Sequence, residues 1–180
     1  MPNSSRLPAA AWGACIAGIL FVSTAPSVLA RYALTKAEES VIATWLTQHP
    51  EFRRATAGDC ACDEDIQNMR AGYGGSVDRV PDYDPYTVSG DLNGDGVADI
   101  AVVVMDTRKQ SDAFALVVFN GPFGTPPQAA FIKTGLDLKQ QGSFYGPPLT
   151  KPYRLLLGRF QSDYIVMLAP SGKTYKLKDY

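Results

Sequence analysis

Between residues 90 and 104 the chain reads GDLNGDGVADIAVVV. Asp91, Asn93, Asp95 and Asp99 stand at positions 1, 3, 5 and 9 of that loop, with Gly96 at position 6 and the carbonyl of Val97 at position 7. In a tightly curled loop alternate side chains point inward, and a glycine at the sharpest bend takes a positive φ without steric cost. Three carboxylates gathered in so short a stretch repel one another unless a cation sits between them. Hard oxygen donors then select calcium over softer metals. Asp91, Asn93, Asp95, Val97 and Asp99 are thus the expected ligands of a Ca2+ ion whose role is structural, pinning the register of the hairpin around it. The plain alternative is an Asx-rich turn whose acids face water.

An EF-hand loop would need a bidentate glutamate at position 12, where this chain has Val102 inside an apolar run. The closing acid at position 9, followed at once by a strand, instead resembles the calcium loops of FG-GAP and VCBS repeats. Those loops sit in hairpins of integrin α-chain propeller blades and of many secreted bacterial proteins. The resemblance spans about fifteen residues of the chain, and it implies the metal site and the hairpin. A whole propeller does not follow from it, because that takes roughly four or more blades of four strands and the loop occurs once here. Residues 59–99 also resemble small exported bacterial proteins that carry a single such loop, a likeness that brings no activity with it.

Cys60 and Cys62 are the second chemical feature, set between Asp59 and the acids Asp63, Glu64 and Asp65. A helix N-terminus lowers a thiol pKa, while nearby acids raise it. The pair is expected to form an intrachain disulfide, with thiol-redox chemistry, metal binding and intermolecular pairing as alternatives. Zinc would want two more soft ligands, and His49 is the one histidine of the chain. His49 has no triad context and is expected to cap a helix or sit at the surface. The segment SGKT at residues 171–174 imitates the end of a phosphate-binding loop, but Met167 stands where that motif needs glycine. It reads as a hairpin turn. No G-x-S-x-G segment is present. The acids at 63–65 read as a solvated first helical turn. Lys151, Arg154, Arg159, Lys173, Lys176 and Lys178 bias the last third toward positive charge. Lys176 and Lys178 would share one face of a strand, as an anionic-ligand strip or, more plainly, as protection of a sheet edge.

These residues need elements to position them. Residues 1–30 hold Arg6, no acid, an apolar run over residues 9–22 and a small-residue end, Ser27-Val28-Leu29-Ala30. That is the pattern of a secretory signal peptide, too short in its apolar part for a bilayer span of roughly 20 residues. Cleavage after Ala30 would discard Cys15 and leave Cys60 and Cys62 in an oxidising compartment, periplasmic or extracellular. Residues 31–180 then form a single α+β domain. A capping box of Thr35 and Glu38 opens a helix that buries Ala37, Val41, Ile42, Trp45 and Leu46 and stops at His49-Pro50. A second helix covers residues 63–70. Strands follow at 86–88, 100–105, 114–119, 129–133, 153–160, 164–168 and 174–178, bounded by turns such as Asn120-Gly121-Pro122. Short connections predict an antiparallel sheet or meander of six to seven strands, with the N-terminal helices packed on it. The calcium loop falls inside a hairpin at 86–105.

About 46% of the chain is apolar and its formal net charge is -1. A core is therefore affordable by composition, and no large field points to nucleic acid or an anionic membrane. The expected role is an exported, calcium-stabilised binding module for a protein or cell-envelope polymer, with no membrane span once the leader is gone. Aromatic turns around Phe123 and Phe144-Tyr145 support it. A periplasmic redox or hydrolytic enzyme and a toxin-inhibitor or immunity-type protein are the alternatives.

Overall fold

A computed structural model describes residues 30–72, 79–145, 155–160 and 165–179, with the backbone alone at Phe144 and Tyr145. Apart from Ala30, the expected leader lies outside the described residues, as do Lys151 and Arg154.

Helix α1 (Lys36–Gln48) begins where the capping box placed it. The Glu38 amide donates to Thr35 Oγ1 at 3.3 Å, and the Thr35 amide donates to Glu38 Oε2 at 2.7 Å. It ends at His49, ahead of Pro50. Ile42 and Trp45 are buried and Val41 and Leu46 partly so, but Ala37 is exposed and the neighbouring Glu38 is buried in its stead. Strand β1 (Phe52–Arg54) and the short helix α2 (Ala57–Cys60) come next, neither expected from the sequence, and then α3 (Asp63–Ala71). α2 has its own capping box, Thr56 with Asp59.

The β elements are β2 (Thr87–Gly90), β3 (Asp99–Asp106), β4 (Phe114–Phe119), β5 (Phe131–Leu136), β6 (Gln141–Tyr145), β7 (Leu155–Arg159), β8 (Ile165–Ser171) and β9 (Thr174–Asp179). With β1 they make nine strands among the described residues, in two antiparallel sheets rather than one. The first sheet runs β1-β3-β4-β5, and β2 also pairs with β3. β1 and β2 share that edge of β3 end to end: β2 takes Asp99 to Val102, and β1 takes Val104 to Asp106. The second sheet runs β6-β7-β8-β9. The protein is thus mostly β and broadly α+β.

Strict alternation along β3 and β4 explains why two sheets can form. Ala101, Val103, Phe114, Leu116 and Val118 face one core, shared with Leu155, Leu157, Leu168 and Tyr175 of the second sheet. Ile100, Val102, Val104, Ala115, Val117 and Phe119 face another, shared with Ile42 and Trp45. A strand buried on both faces needs apolar residues at every position, and β3 supplies them from Ile100 through Val104. Each fully buried valine there contributes about 1.5–3 kcal/mol of transfer free energy. The candidate loop is attached to the start of this strand.

Candidate metal loop

β2 and β3 pair in a register that sets Gly90 opposite Asp99. Residues 91–98 must therefore reverse the chain within one turn. Gly94 and Gly96 take φ of 87° and 89°, the left-handed region where only glycine is unstrained. No atom lies near the place of a Cβ on Gly96, so backbone conformation, and not space, calls for glycine there. Leu92, 1% exposed, roots the loop in the core.

The carboxylates organise the rest. Asp91, fully buried, accepts from the Gly94 amide at 2.7 Å and the Gly96 amide at 2.9 Å. Asn93 Oδ1 accepts from the Asp95 amide and Asp95 Oδ1 from the Val97 amide, two consecutive Asx turns. Asp99, also fully buried, accepts on Oδ2 from the amides of Leu92 (2.8 Å) and Asn93 (3.1 Å), and on Oδ1 from Gly121 (3.0 Å). The Tyr175 hydroxyl lies 3.3 Å from Asp99 Oδ2 and donates to Asn120 Oδ1 at 2.7 Å. Burial pushes the Asp99 carboxyl up to about 6, although hydrogen bonds from Gly121 and Leu92 pull the other way. The same burial, with Asp99 beside it, pushes the Tyr175 phenol well above its ordinary value.

The five expected ligands thus divide. Asp91 and Asp99 are held in the interior, Asn93 is half-buried, and Asp95 and Val97 are exposed. The donor types fit a hard cation: all are oxygens, and among the described residues the partners of the two buried carboxylates are backbone amides and a phenol rather than basic side chains. Their convergence is another matter. Among the described residues no group of three or more Asp, Glu, His or Cys side chains surrounds a common centre. Loop amides occupy the positive role that a metal would take.

Neither the family models, nor the curated proteins, nor the solved structures contain a match to this chain. The likeness of residues 90–104 to FG-GAP and VCBS loops therefore stands on those residues alone.

Elsewhere the sequence candidates resolve into supports. Cys60 and Cys62 lie at disulfide distance with Cα atoms 5.2 Å apart, and both are buried. Ala61 between them takes a left-handed φ of 55°. The Cys60 carbonyl accepts from the Gln140 amide at 2.7 Å, tying this corner to the turn that enters β6. Asp59, which flanks the pair, is committed to a bidentate contact with Arg53 at 2.6 and 2.9 Å, and that guanidinium holds its carboxyl far below the usual range. Asp63 and Glu64 are exposed in the first turn of α3, as expected. His49 stacks on Trp45 with ring centroids 4.1 Å apart at the end of α1. Residues 171–174 form the β8–β9 turn, with Gly172 at φ 65° and no helix following. Lys176 and Lys178 are exposed on β9, an edge strand of the second sheet. Phe123 packs partly buried against the core that holds Trp45, so it is no free aromatic surface.

Sequence reasoning missed three residues around the loop: Asn120, Gly121 and Tyr175. A Cβ on Gly121 would run into the carbonyl of Ala98 and the side chain of Val97, so glycine is required for the turn to touch the loop. Asn120-Gly121 was visible as a turn, but nothing local signals its partner. Glu38 was visible as a capping acid and not as a buried one. Burial works to raise its pKa, yet bonds from Ser89, Thr35 and Arg31 outweigh that and hold it below its ordinary value.

Proposed function

We propose that this chain is an exported binding module, steadied by one calcium ion at residues 91–99, that recognises a protein or a cell-envelope ligand in the periplasm or outside the cell. In this reading the N-terminal helices are a layer on the antiparallel sheet, and the hairpin of β2 and β3 is the part the metal steadies. The observation that carries it is the pair of fully buried carboxylates, Asp91 and Asp99, on one short loop with no basic side chain among the described residues bonded to either. Buried negative charge of that kind is costly unless neutralised, and a divalent ion is the economical partner. Calcium would be held by Asp91, Asn93, Asp95, Asp99 and the Val97 carbonyl, after rotation of the half-buried Asn93 and the exposed Asp95 toward the two buried acids.

The burial of both Cys60 and Cys62 favours a staple over thiol exchange, which needs an accessible sulfur. No helix among the described residues is long and apolar enough to cross a membrane.

Calcium at ten times its Kd should stabilise the protein by about 1.4 kcal/mol, raising Tm by about 3–6 °C over an EDTA-treated sample. Asp95→Ala, an exposed position, should fold normally and lose that rise. An unchanged parent Tm at millimolar calcium, or a variant that responds like the parent, defeats the metal site. For the binding role, immobilised mature protein should retain a cell-envelope component in calcium and release it in EDTA.

A further inference from the structure

The chain enters the described fold already pinned. Arg31 and Ser89 of β2 form an antiparallel bridge in which each amide donates to the other's carbonyl, both at 2.8 Å. The Arg31 guanidinium reaches both oxygens of Glu38 at 2.7 Å, and Glu38 is 3% exposed. Tyr32 is buried in the core shared by the two sheets, its ring edge-on to Tyr83 with centroids 4.8 Å apart. The Ala33 amide donates to Asp82 Oδ2 at 3.2 Å. Ala30 packs partly buried against the same core. Residues 31–33 are thus held by main-chain bonds, an ion pair and a buried ring, immediately after the small-residue stretch Ser27-Val28-Leu29-Ala30.

We propose that folding seals the Ala30–Arg31 bond, so that a leader peptidase can cut it only while the domain is unfolded. The proposal rests on the exported reading above for its leader and adds an order of events to it. A protein that binds an extended peptide takes hold of its main-chain groups. In the folded chain those of Arg31 are already bonded to Ser89, and Tyr32 would have to leave the core. Cleavage of folded protein therefore requires residues 30–33 to open, and its rate follows the population of that open form. In the cut itself water adds across the Ala30–Arg31 amide, leaving a carboxylate on Ala30 and an ammonium on Arg31. The ammonium still has a proton to donate to the Ser89 carbonyl, and the guanidinium keeps Glu38, so the anchor outlasts the leader. A chain that folds before it meets the peptidase keeps its leader.

The test is digestion of the full chain, residues 1–180, by a leader peptidase that cuts after small residues, in detergent micelles, with the products read by mass spectrometry. Three chains are compared. One is the parent, and one carries Ser-Gly-Ser-Gly inserted between Ala30 and Arg31. The third is Val103→Asp, which sets an unpaired charge in the core of β3 and keeps the chain unfolded. Circular dichroism checks that the first two are folded and the third is not. Val103→Asp should be cut after Ala30, and the folded parent at least about 30-fold more slowly, the effect of two net hydrogen bonds. The insertion moves the bond clear of the bridge and leaves the bridge intact, so that chain should be cut at nearly the rate of Val103→Asp while folded. A folded parent cut as fast as the other two overturns the proposal. An insertion chain as slow as the parent overturns it too, because the bridge is then not what protects the bond. If none of the three is cut, the leader reading fails and takes the order of events with it, a result distinct from the other two.

Discussion

The two sheets are built on different terms. In the first, β3 from Ile100 through Val104 and the whole of β4 are apolar and buried on both faces, one against the second sheet and one in the core that holds Ile42 and Trp45. In the second, β8 and β9 keep their exposed positions polar or small, and Leu157, Leu168 and Tyr175 supply the inward side. The first sheet therefore has a reason to be ordered that does not depend on the second. The second is held on one side, at a seam where Tyr175 meets Asp99 and Asn120, Thr174 donates to the Ala130 carbonyl and the Ser143 amide donates to the Pro85 carbonyl. The loop is thus rooted in a strand buried on both faces and is touched by Tyr175 of the other sheet.

That contrast can be broken in graded ways. Trp45→Ala should cost the most, about 3–5 kcal/mol, and should lower the melting of both sheets together, because it empties the core behind β3 and β4. Separate transitions for the two sheets in this variant, read by exchange, would show that the second sheet does not depend on the first.

A smaller effect concerns pH in metal-free protein. The folded-state value of Asp99 lies near 6, above the ordinary 3.8. A group raised in this way adds stability below its unfolded value, and that stability is lost as pH rises through the folded value. In EDTA the parent should thus lose about 2–3 kcal/mol relative to Asp99→Asn between pH 4 and pH 7. Comparing the two isolates this residue from Glu38 and Asp106, whose lowered values act in the opposite sense. A parallel pair of Tm-versus-pH curves would show that Asp99 is not the buried acid described here. At the small end, Ile132→Thr on the exposed edge strand β5 should change stability by about 0.5 kcal/mol or less in a denaturant titration.

How much of this was legible from residues follows from range. The helix α1 was legible because its capping box and its 3.6-residue period lie within a dozen positions. The loop was legible because Asp91, Asn93, Asp95, Gly96 and Asp99 carry their own geometry. β1 was not, since Phe52-Arg53-Arg54 has no strand pattern and is extended because it completes the edge of β3 beyond β2. β6 was hidden by Gly142, whose missing side chain makes room for Tyr83. The split into two sheets left no trace either, because every strand keeps the same alternation whichever sheet it joins. Nor could the seam be read: Asp99 and Tyr175 are 76 positions apart, and a tyrosine in a strand gives no hint of which carboxylate its hydroxyl will meet.

The central claim, that the loop takes up a calcium ion, is tested most directly by calorimetric titration of calcium chloride into EDTA-stripped, dialysed protein at pH 7.5, with Asp95→Ala alongside. Saturable uptake of one ion per chain with a Kd of about 10⁻⁴–10⁻³ M, lost in the variant, is the expected result. Heats in the parent no larger than those of dilution, up to several times the upper end of that range, would contradict it.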